Sequence, residues 1–427
     1  MSTIFARSTA PGRAGIAVVR ISGPASWDLV RGLTDRPLPP PRMLVRRNIL
    51  CDGELVEIGM VVLFEERRSF TGEQSAELHL HGSEAVVRRV LRELGNAEGA
   101  RLADAGEFTQ RAFLNNKMDL SSIEGLSALL VAETEAQRRQ AMRILTGTLR
   151  EKAGAWRAEL VGVLAEIEAV VDFADEEVPD TVSPELGARI ARTASAMRSE
   201  GQGVADAEKI ARGFEVAIVG RPNAGKSTLL NRLAGRDAAL TSEIAGTTRD
   251  VIEVRMEIAG QLVTLLDTAG IRATEAVVER AGVALALRRA QVADLRICLG
   301  AVPEGLKLFE GDLVLREKAD LDASAKGFGV SGLTGQGVDR LLVAIGERLN
   351  DRVAGAGIAV TERQAQALLA GAEALEDVRN MLEAGPGQLE IVSALLWRAI
   401  QATDQIVGRI GVEDVLGEIF SQFCIGK

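Results

Sequence analysis

Gly220-Arg221-Pro222-Asn223-Ala224-Gly225-Lys226-Ser227 fits the phosphate-binding pattern G-x-x-x-x-G-K-[ST] at every position. The flanks supply the context the pattern needs. Val216-Ala217-Ile218-Val219 reads as a buried strand, and Thr228-Leu229-Leu230-Asn231-Arg232-Leu233 as the start of a helix. Glycines allow backbone N–H groups to wrap a polyphosphate without Cβ clashes. Lys226 then reaches the β- and γ-phosphates, the Ser227 hydroxyl suits Mg²⁺, and the helix N-terminus adds its positive dipole. Strand, phosphate loop and helix in this order make this part of the chain a nucleotide domain.

Two further motifs follow in order. Ser242-Glu243-Ile244-Ala245-Gly246-Thr247-Thr248-Arg249-Asp250 offers the switch threonine that completes Mg²⁺ coordination when a γ-phosphate is present. Val263-Thr264-Leu265-Leu266 is a strand running into Asp267-Thr268-Ala269-Gly270, where Asp267 serves the Mg²⁺ and the Gly270 amide senses the γ-phosphate. Together the three motifs predict a GTPase of the translation-factor-related class. The base-reading segment departs from Asn-Lys-x-Asp. Lys318 and Asp320 are in place, but Glu317 stands where the asparagine belongs, and an ionised carboxylate cannot donate to guanine N7. Guanine remains the expected base, with weakened affinity. Ser331-Gly332-Leu333 resembles the last base-contacting loop. Small GTPases place a water-orienting glutamine after this Asp-x-x-Gly, but Ile271 follows Gly270, so a polar group such as Arg272 or Glu279 must act instead.

Around this site, 427 residues at 47% hydrophobic content leave room for two or three domains. A net charge of −10 argues against coating nucleic acid by charge alone, and with no tyrosine and 3% aromatics stacking platforms are scarce. Cys51, Cys298 and Cys424 lie far apart without metal-ligand spacing, which suits a reducing compartment. Neither a signal peptide nor a bilayer-length apolar run is visible, so a cytoplasmic protein with no membrane association is expected.

The first segment is strand-like. Gly15–Gly23 and Met60–Phe64 read as strands, and the alternation in Ala76-Glu77-Leu78-His79-Leu80-His81 puts Glu77, His79 and His81 on one face. Helical patterns follow at Glu84–Leu94 and Glu107–Leu114, giving a compact α+β domain. The two histidines lack further ligands and are expected to hydrogen-bond rather than to hold a metal. Spacing alone makes Arg20, Glu77 and Lys117 solvated charges. From Leu120 the chain is rich in Ala, Leu, Glu and Arg with helical periodicity, including a helix from Pro184 to Gly201. Helical patterns resume at Gln364–Leu382 and Leu389–Val407, which suggests a nucleotide domain inserted into a helical bundle. The chain ends Cys424-Ile425-Gly426-Lys427, a poor prenylation signal; its thiol could act as a nucleophile or redox group.

These stretches, with Pro11-Gly12-Arg13, Val19-Arg20-Ile21-Ser22-Gly23, Ser69-Phe70-Thr71-Gly72-Glu73, Gly106-Glu107-Phe108 and Arg111-Ala112-Phe113-Leu114-Asn115, resemble the tRNA modification GTPase MnmE (TrmE) family over nearly all positions. The resemblance implies a multidomain α/β protein. An N-terminal α+β folate-binding and dimerisation domain spans 1–116, a discontinuous α-helical domain 117–212 and 353–427, and an inserted Ras-like G domain, with a mostly parallel sheet, 213–352.

Residue by residue, Arg20, Glu77, Lys117 and Lys427 match contacts of 5-formyl- or methylene-tetrahydrofolate, and Cys424 matches a functional cysteine. Asn223, Ser242, Ile244 and Thr247 match K⁺ ligands, Ser227 and Thr248 match Mg²⁺ ligands, and Glu279 matches the residue that orients the attacking water. GTP or GDP would lie against Asn223 to Thr228, Ser242 to Thr248, Asp267 to Gly270, Lys318, Asp320 and Ser331 to Leu333, with Lys226 catalytic. The implied activity is K⁺-stimulated GTP hydrolysis by a homodimer. With an FAD-containing partner, MnmG, in a heterotetramer or larger complex, it adds a carboxymethylaminomethyl-type group to the wobble uridine of tRNA. The alternative is a GTP-switched scaffold, for example in ribosome assembly. Glu317, Gly332 and Ser83 depart from the family pattern.

Overall fold

The computed structural model describes residues 2–172, 184–236, 253–267, 287–322, 326–384 and 389–408, together with Phe420, Phe423 and Gly426. Two compact units are present. One comprises Met1–Ser127, Leu145–Ala153 and Asp404–Lys427; the other comprises Ala128–Ile144 and Gly154–Thr403.

The first unit is built on a six-stranded sheet in the order β3-β4-β5-β2-β1-β6. Its elements are β1 (Thr3–Arg7), β2 (Ala14–Ser22), α1 (Ser26–Gly32), β3 (Val45–Cys51), β4 (Glu54–Phe64), β5 (Ser75–Gly82), α2 (Glu84–Gly95), β6 (Ala100–Leu102) and α3 (Glu107–Leu114). Strand alternation sorts the side chains. Phe5, Val19, Ile21, Val61, Leu63, Leu78 and Leu80 form one buried face with Val87, Val90 and Leu94 of α2. Their sequence neighbours, including Arg20, Val62, Glu77 and His79, project from the opposite face, where Ile4 and Ala6 pack with Phe108 of α3. Strand β4 starts at Glu54, six residues earlier than its apolar run at Met60 implies. Asp52 and Gly53, at φ 51° and 78°, form the positive-φ turn that joins β3 to β4, and an Asp-Gly pair favours such a turn.

The second unit contains a five-stranded sheet in the order β11-β10-β7-β9-β8. Here β7 (Phe214–Gly220), β9 (Gln261–Asp267), β10 (Leu295–Leu299) and β11 (Leu313–Leu315) are parallel, and the edge strand β8 (Glu253–Ile258) is antiparallel to β9. Helices α9 (Lys226–Ala234) and α10 (Val338–Arg352) bury Leu229, Leu230, Leu233, Leu341 and Ile345 against Val216, Ile218, Leu265 and Ile297. Helical segments from either side of this sheet in sequence pack together: of α4 (Leu120–Val131), α5 (Glu135–Leu145), α6 (Thr148–Asp172), α7 (Pro184–Gln202) and α8 (Val204–Arg212), α7 lies along α11 (Glu362–Ala384), where Gly371 meets Met197. The predicted helix Leu389–Val407 is α12. Arg296 on β10 is buried beside Asp312. Its Nε donates to Oδ2 at 2.7 Å, and Nη1 is taken up by the carbonyls of Ala290, Gln291 and Ala293.

Among the described residues no helix is long and apolar enough to cross a membrane. No group of three or more His, Cys, Asp or Glu is placed to hold a metal among them either.

Candidate functional site

At the end of β7 the chain turns into the phosphate loop through Gly220, whose φ is 155°; a Cβ there would lie 2.6 Å from the Leu299 carbonyl oxygen. Asn223 (φ 61°) and Gly225 (φ 89°) complete the reversal into α9. Asparagine tolerates this left-handed region better than most residues. The loop is closed around Lys226, whose Nζ donates to the carbonyls of Gly220 and Arg221, each at 2.9 Å. Burial pushes the lysine pKa down, while the charges of Asp267 and Glu317 pull it back up. A buried ammonium held by two loop carbonyls is poised to exchange them for phosphate oxygens.

Ser227, the next residue, donates from Oγ to Asp267 Oδ2 at 2.6 Å. Asp267 is 1% exposed, at the end of β9. Two oxygen donors held together at the phosphate loop fit a hard divalent cation. The geometry therefore unites Lys226, Ser227 and Asp267, three predicted site residues separated in sequence by up to 41 positions.

The base-reading segments also converge. The turn Lys318-Ala319-Asp320 follows β11, with Lys318 exposed at φ 48°, and the Ala319 amide donates to the Val330 carbonyl at 3.2 Å. That bond ties it to the loop carrying the buried Ser331. Gly332 lies against the first turn of α9: a Cβ there would sit 2.5 Å from the Leu229 nitrogen and 2.7 Å from the Thr228 carbonyl carbon. Leu333 is 73% exposed. Glu317 tucks its carboxylate against Gly300 at the end of β10. Its electrostatic effect on Lys226 was not visible in the sequence, because it depends on β10 and β7 being neighbours in the sheet. Ser242 to Thr248, Thr268 to Gly270, Arg272 and Glu279 lie outside the described residues.

The second constellation is on the face of the first unit's sheet opposite α2. Register puts Arg20 of β2 directly opposite Glu77 of β5. The guanidinium donates to Glu77 Oε1 from Nε at 3.0 Å and lies 2.9 Å from it through Nη2, while His79 Nε2 is 3.1 Å from Oε2. The two charges expected from spacing to be solvated are thus a partly buried pair. Arg20 also faces the rings of Phe70 and Phe108, at 5.2 and 5.8 Å from their centroids. Lys117 donates to the Arg67 carbonyl at 2.8 Å and packs on Gly72, so it braces the loop that presents Phe70.

Spacing did not single out the charge network beneath this loop. Arg111 bridges Glu73 and Glu107, Arg101 joins Glu107, and Ser22 donates to Glu73 at 2.8 Å. The family stretches Val19–Gly23, Ser69–Glu73 and Gly106–Asn115 hold its members except Arg101. Near the other end of the chain, Ser8 donates to the Gly426 carbonyl at 3.0 Å, and Gly426 is at φ 102° against Arg7. Cys424 and Lys427 lie outside the described residues. His81 bonds Glu57 at 3.0 Å, so both histidines hydrogen-bond to glutamates as expected.

Two family models cover almost the whole chain: "GTP-binding protein TrmE N-terminus" matches residues 3–117, and "MnmE helical domain" matches residues 120–424. The chain belongs to the MnmE family. A "tRNA modification GTPase MnmE" of Cereibacter sphaeroides is 51% identical over 100% of both chains, and one of Roseobacter denitrificans is 50% identical over the same span. Among solved structures, Era in complex with MgGDPNP and nucleotides 1506–1542 of 16S ribosomal RNA is 25% identical. That match covers 38% of this chain and 66% of the other at a TM-score of 0.26, too little to carry an inference. MnmE membership makes the chain a GTP hydrolase that binds GTP, GDP and Mg²⁺, and the phosphate loop is built accordingly.

Proposed function

We propose that the chain is a K⁺-stimulated GTPase that works with an FAD-containing partner, MnmG, in a heterotetramer or larger complex. Together they install a carboxymethylaminomethyl-type group at C5 of the wobble uridine of certain tRNAs. The observation that carries this reading is the 51% identity, end to end, with a tRNA modification GTPase. In this reading the protein is a cytoplasmic homodimer. Residues 1–116 bind folate and dimerise, 117–212 and 353–427 make the helical domain, and 213–352 form the G domain.

Ser227 and Thr248 would hold Mg²⁺, and Asn223, Ser242, Ile244 and Thr247 would hold K⁺. A monovalent cation against the phosphates supplies the charge neutralisation that an arginine finger supplies elsewhere. Lys226 exchanges its loop carbonyls for phosphate oxygens, and Glu279 orients the water that attacks the γ-phosphorus as GDP leaves. Arg20, Glu77, Lys117 and Lys427 would hold 5-formyl- or methylene-tetrahydrofolate, which supplies a one-carbon unit; Cys424 is the candidate nucleophile or redox group. Glu77 accepts from the pterin edge, and the cations pair with glutamyl carboxylates. The Arg20–Glu77 pair between two aromatic rings supports this assignment.

Two measurements test it. GTP turnover should be faster in K⁺ than in Na⁺ buffer, and equal near-zero rates would remove the cation mechanism. Binding of 5-formyltetrahydrofolate should be abolished by Arg20→Ala. A nucleotide-switched scaffold needs no such pocket, so absence of folate binding in the parent would favour it.

A further inference from the structure

The chain carries a net charge of −10, yet residues 36–47 contain Arg36, Arg42, Arg46 and Arg47 and no acidic residue. This segment begins with the proline-rich run Pro37-Leu38-Pro39-Pro40-Pro41 and ends in β3, an edge strand of the first unit's sheet. Arg36, Arg42 and Arg46 are exposed. The residues facing Arg46 and Arg47 across β4 are Met60 and Gly59, which are neutral. Arg36 reaches an acid only at 3.9 Å, through Asp35, and Arg42 and Arg46 have no acidic partner among the described residues. Arg47 is held in place by the carbonyls of Arg46 and Pro37 and stiffens the strip. The exposed guanidiniums of Arg42 and Arg46, with no acidic partner among the described residues, suit phosphate oxygens.

The strip also leads somewhere. The Arg42 amide donates to the Leu63 carbonyl at 2.8 Å, which places the strip beside the end of β4. There the chain enters the 65–72 loop, whose Glu65 is engaged by Arg68 at 3.5 Å. The same loop is braced by Lys117 and presents Phe70 over Arg20.

We propose that this arginine edge is a docking surface for the phosphodiester backbone of an RNA, set so that a base beyond the docked strand can approach the Arg20–Glu77 pair. The proposal rests on the tRNA-modification reading above and assigns it a substrate surface. Such a surface reconciles an acidic chain with a polyanionic substrate, because only a local strip is basic.

The test uses the full-length protein and fluorescently labelled tRNA, with affinity measured by anisotropy across a salt series. Removing two phosphate contacts with R42Q/R46Q should lower the slope of log K against log salt by about 1.5, at roughly 0.7–0.9 per contact. Affinity should fall several-fold at fixed salt while GTP turnover stays unchanged. The control R88Q/R92Q removes two exposed arginines from α2 and should leave the slope unchanged. Equal losses in both variants, unchanged binding in R42Q/R46Q, or a parent that does not bind tRNA would each overturn the surface. Loss of an acidic protein partner with tRNA binding retained would overturn it as well. If R42Q/R46Q binds normally but cells lacking the protein have altered wobble nucleosides, only the surface fails. If those nucleosides are unaltered, the underlying function fails.

Discussion

Replacing Glu317 by asparagine should tighten guanine-nucleotide binding. Position 317 is fixed by its surroundings: the Arg316 amide donates to Phe328 at 2.8 Å, and the Val330 amide donates back to Arg316 at 2.9 Å. The side chain can therefore change while the backbone stays. The carboxylate lies against Gly300, 3.3 Å from where a Cβ would be, so the slightly different asparagine fits without displacing a neighbour. An ionised glutamate offers only acceptors to a base edge that itself accepts at N7, whereas an asparagine amide can donate. Regaining one hydrogen bond is worth about 0.5–1.5 kcal/mol, or a roughly 2- to 12-fold lower Kd for GDP. Relief of charge repulsion adds in the same direction. The change also removes one of the two carboxylates that favour charged Lys226. If that influence dominated, the gain would vanish. Titration of a fluorescent GDP analogue against parent and E317N decides between them. Unchanged or weaker binding by E317N would refute the view that Glu317 is the weak point of the base site.

Two further outcomes concern stability. Arg296→Met should cost about 3–5 kcal/mol in the second unit, because it leaves the buried Asp312 carboxylate without its cation. R296M/D312N should recover much of that in denaturant unfolding; a single variant within 1 kcal/mol of the parent, by the same order-of-magnitude reckoning, would contradict this. For Glu107, burial pushes the pKa up, but bonds from Arg101, the Asp104 amide and Arg111 outweigh it and leave the value below the ordinary 4.5. Because the folded value is the lower one, this stabilisation is complete above about pH 4.5 and is lost as pH falls through the folded value. Thermal midpoints between about pH 6 and pH 3 should fall less steeply in E107Q than in the parent. Equal slopes would count against the network.

Much of this was legible in the sequence where local chemistry governs. The phosphate loop with its strand and helix, α3 at Glu107–Leu114 and α12 at Leu389–Val407 follow from spacing and periodicity. Strand β3 was not legible, because Arg46, Arg47 and Asn48 break its apolar pattern, and its place is set by pairing with β4 through the Asp52-Gly53 turn. Strand β6 is short and defined by its parallel pairing with β1 nearly 100 residues away, a relation no local pattern encodes. The pairing of Arg20 with Glu77 is likewise a matter of register between strands 57 positions apart. Spacing alone therefore read an ordered pair as solvated charge. The family resemblance implies one ligand for Arg20 and Glu77, but it did not imply that the two side chains pair.

The central claim is that this GTPase serves tRNA modification, and the most direct measurement is mass-spectrometric analysis of wobble nucleosides in tRNA from cells lacking the protein. Loss of the carboxymethylaminomethyl-type uridine, restored by the parent chain but not by Ser227→Ala, is the predicted result. An unchanged nucleoside profile would contradict it.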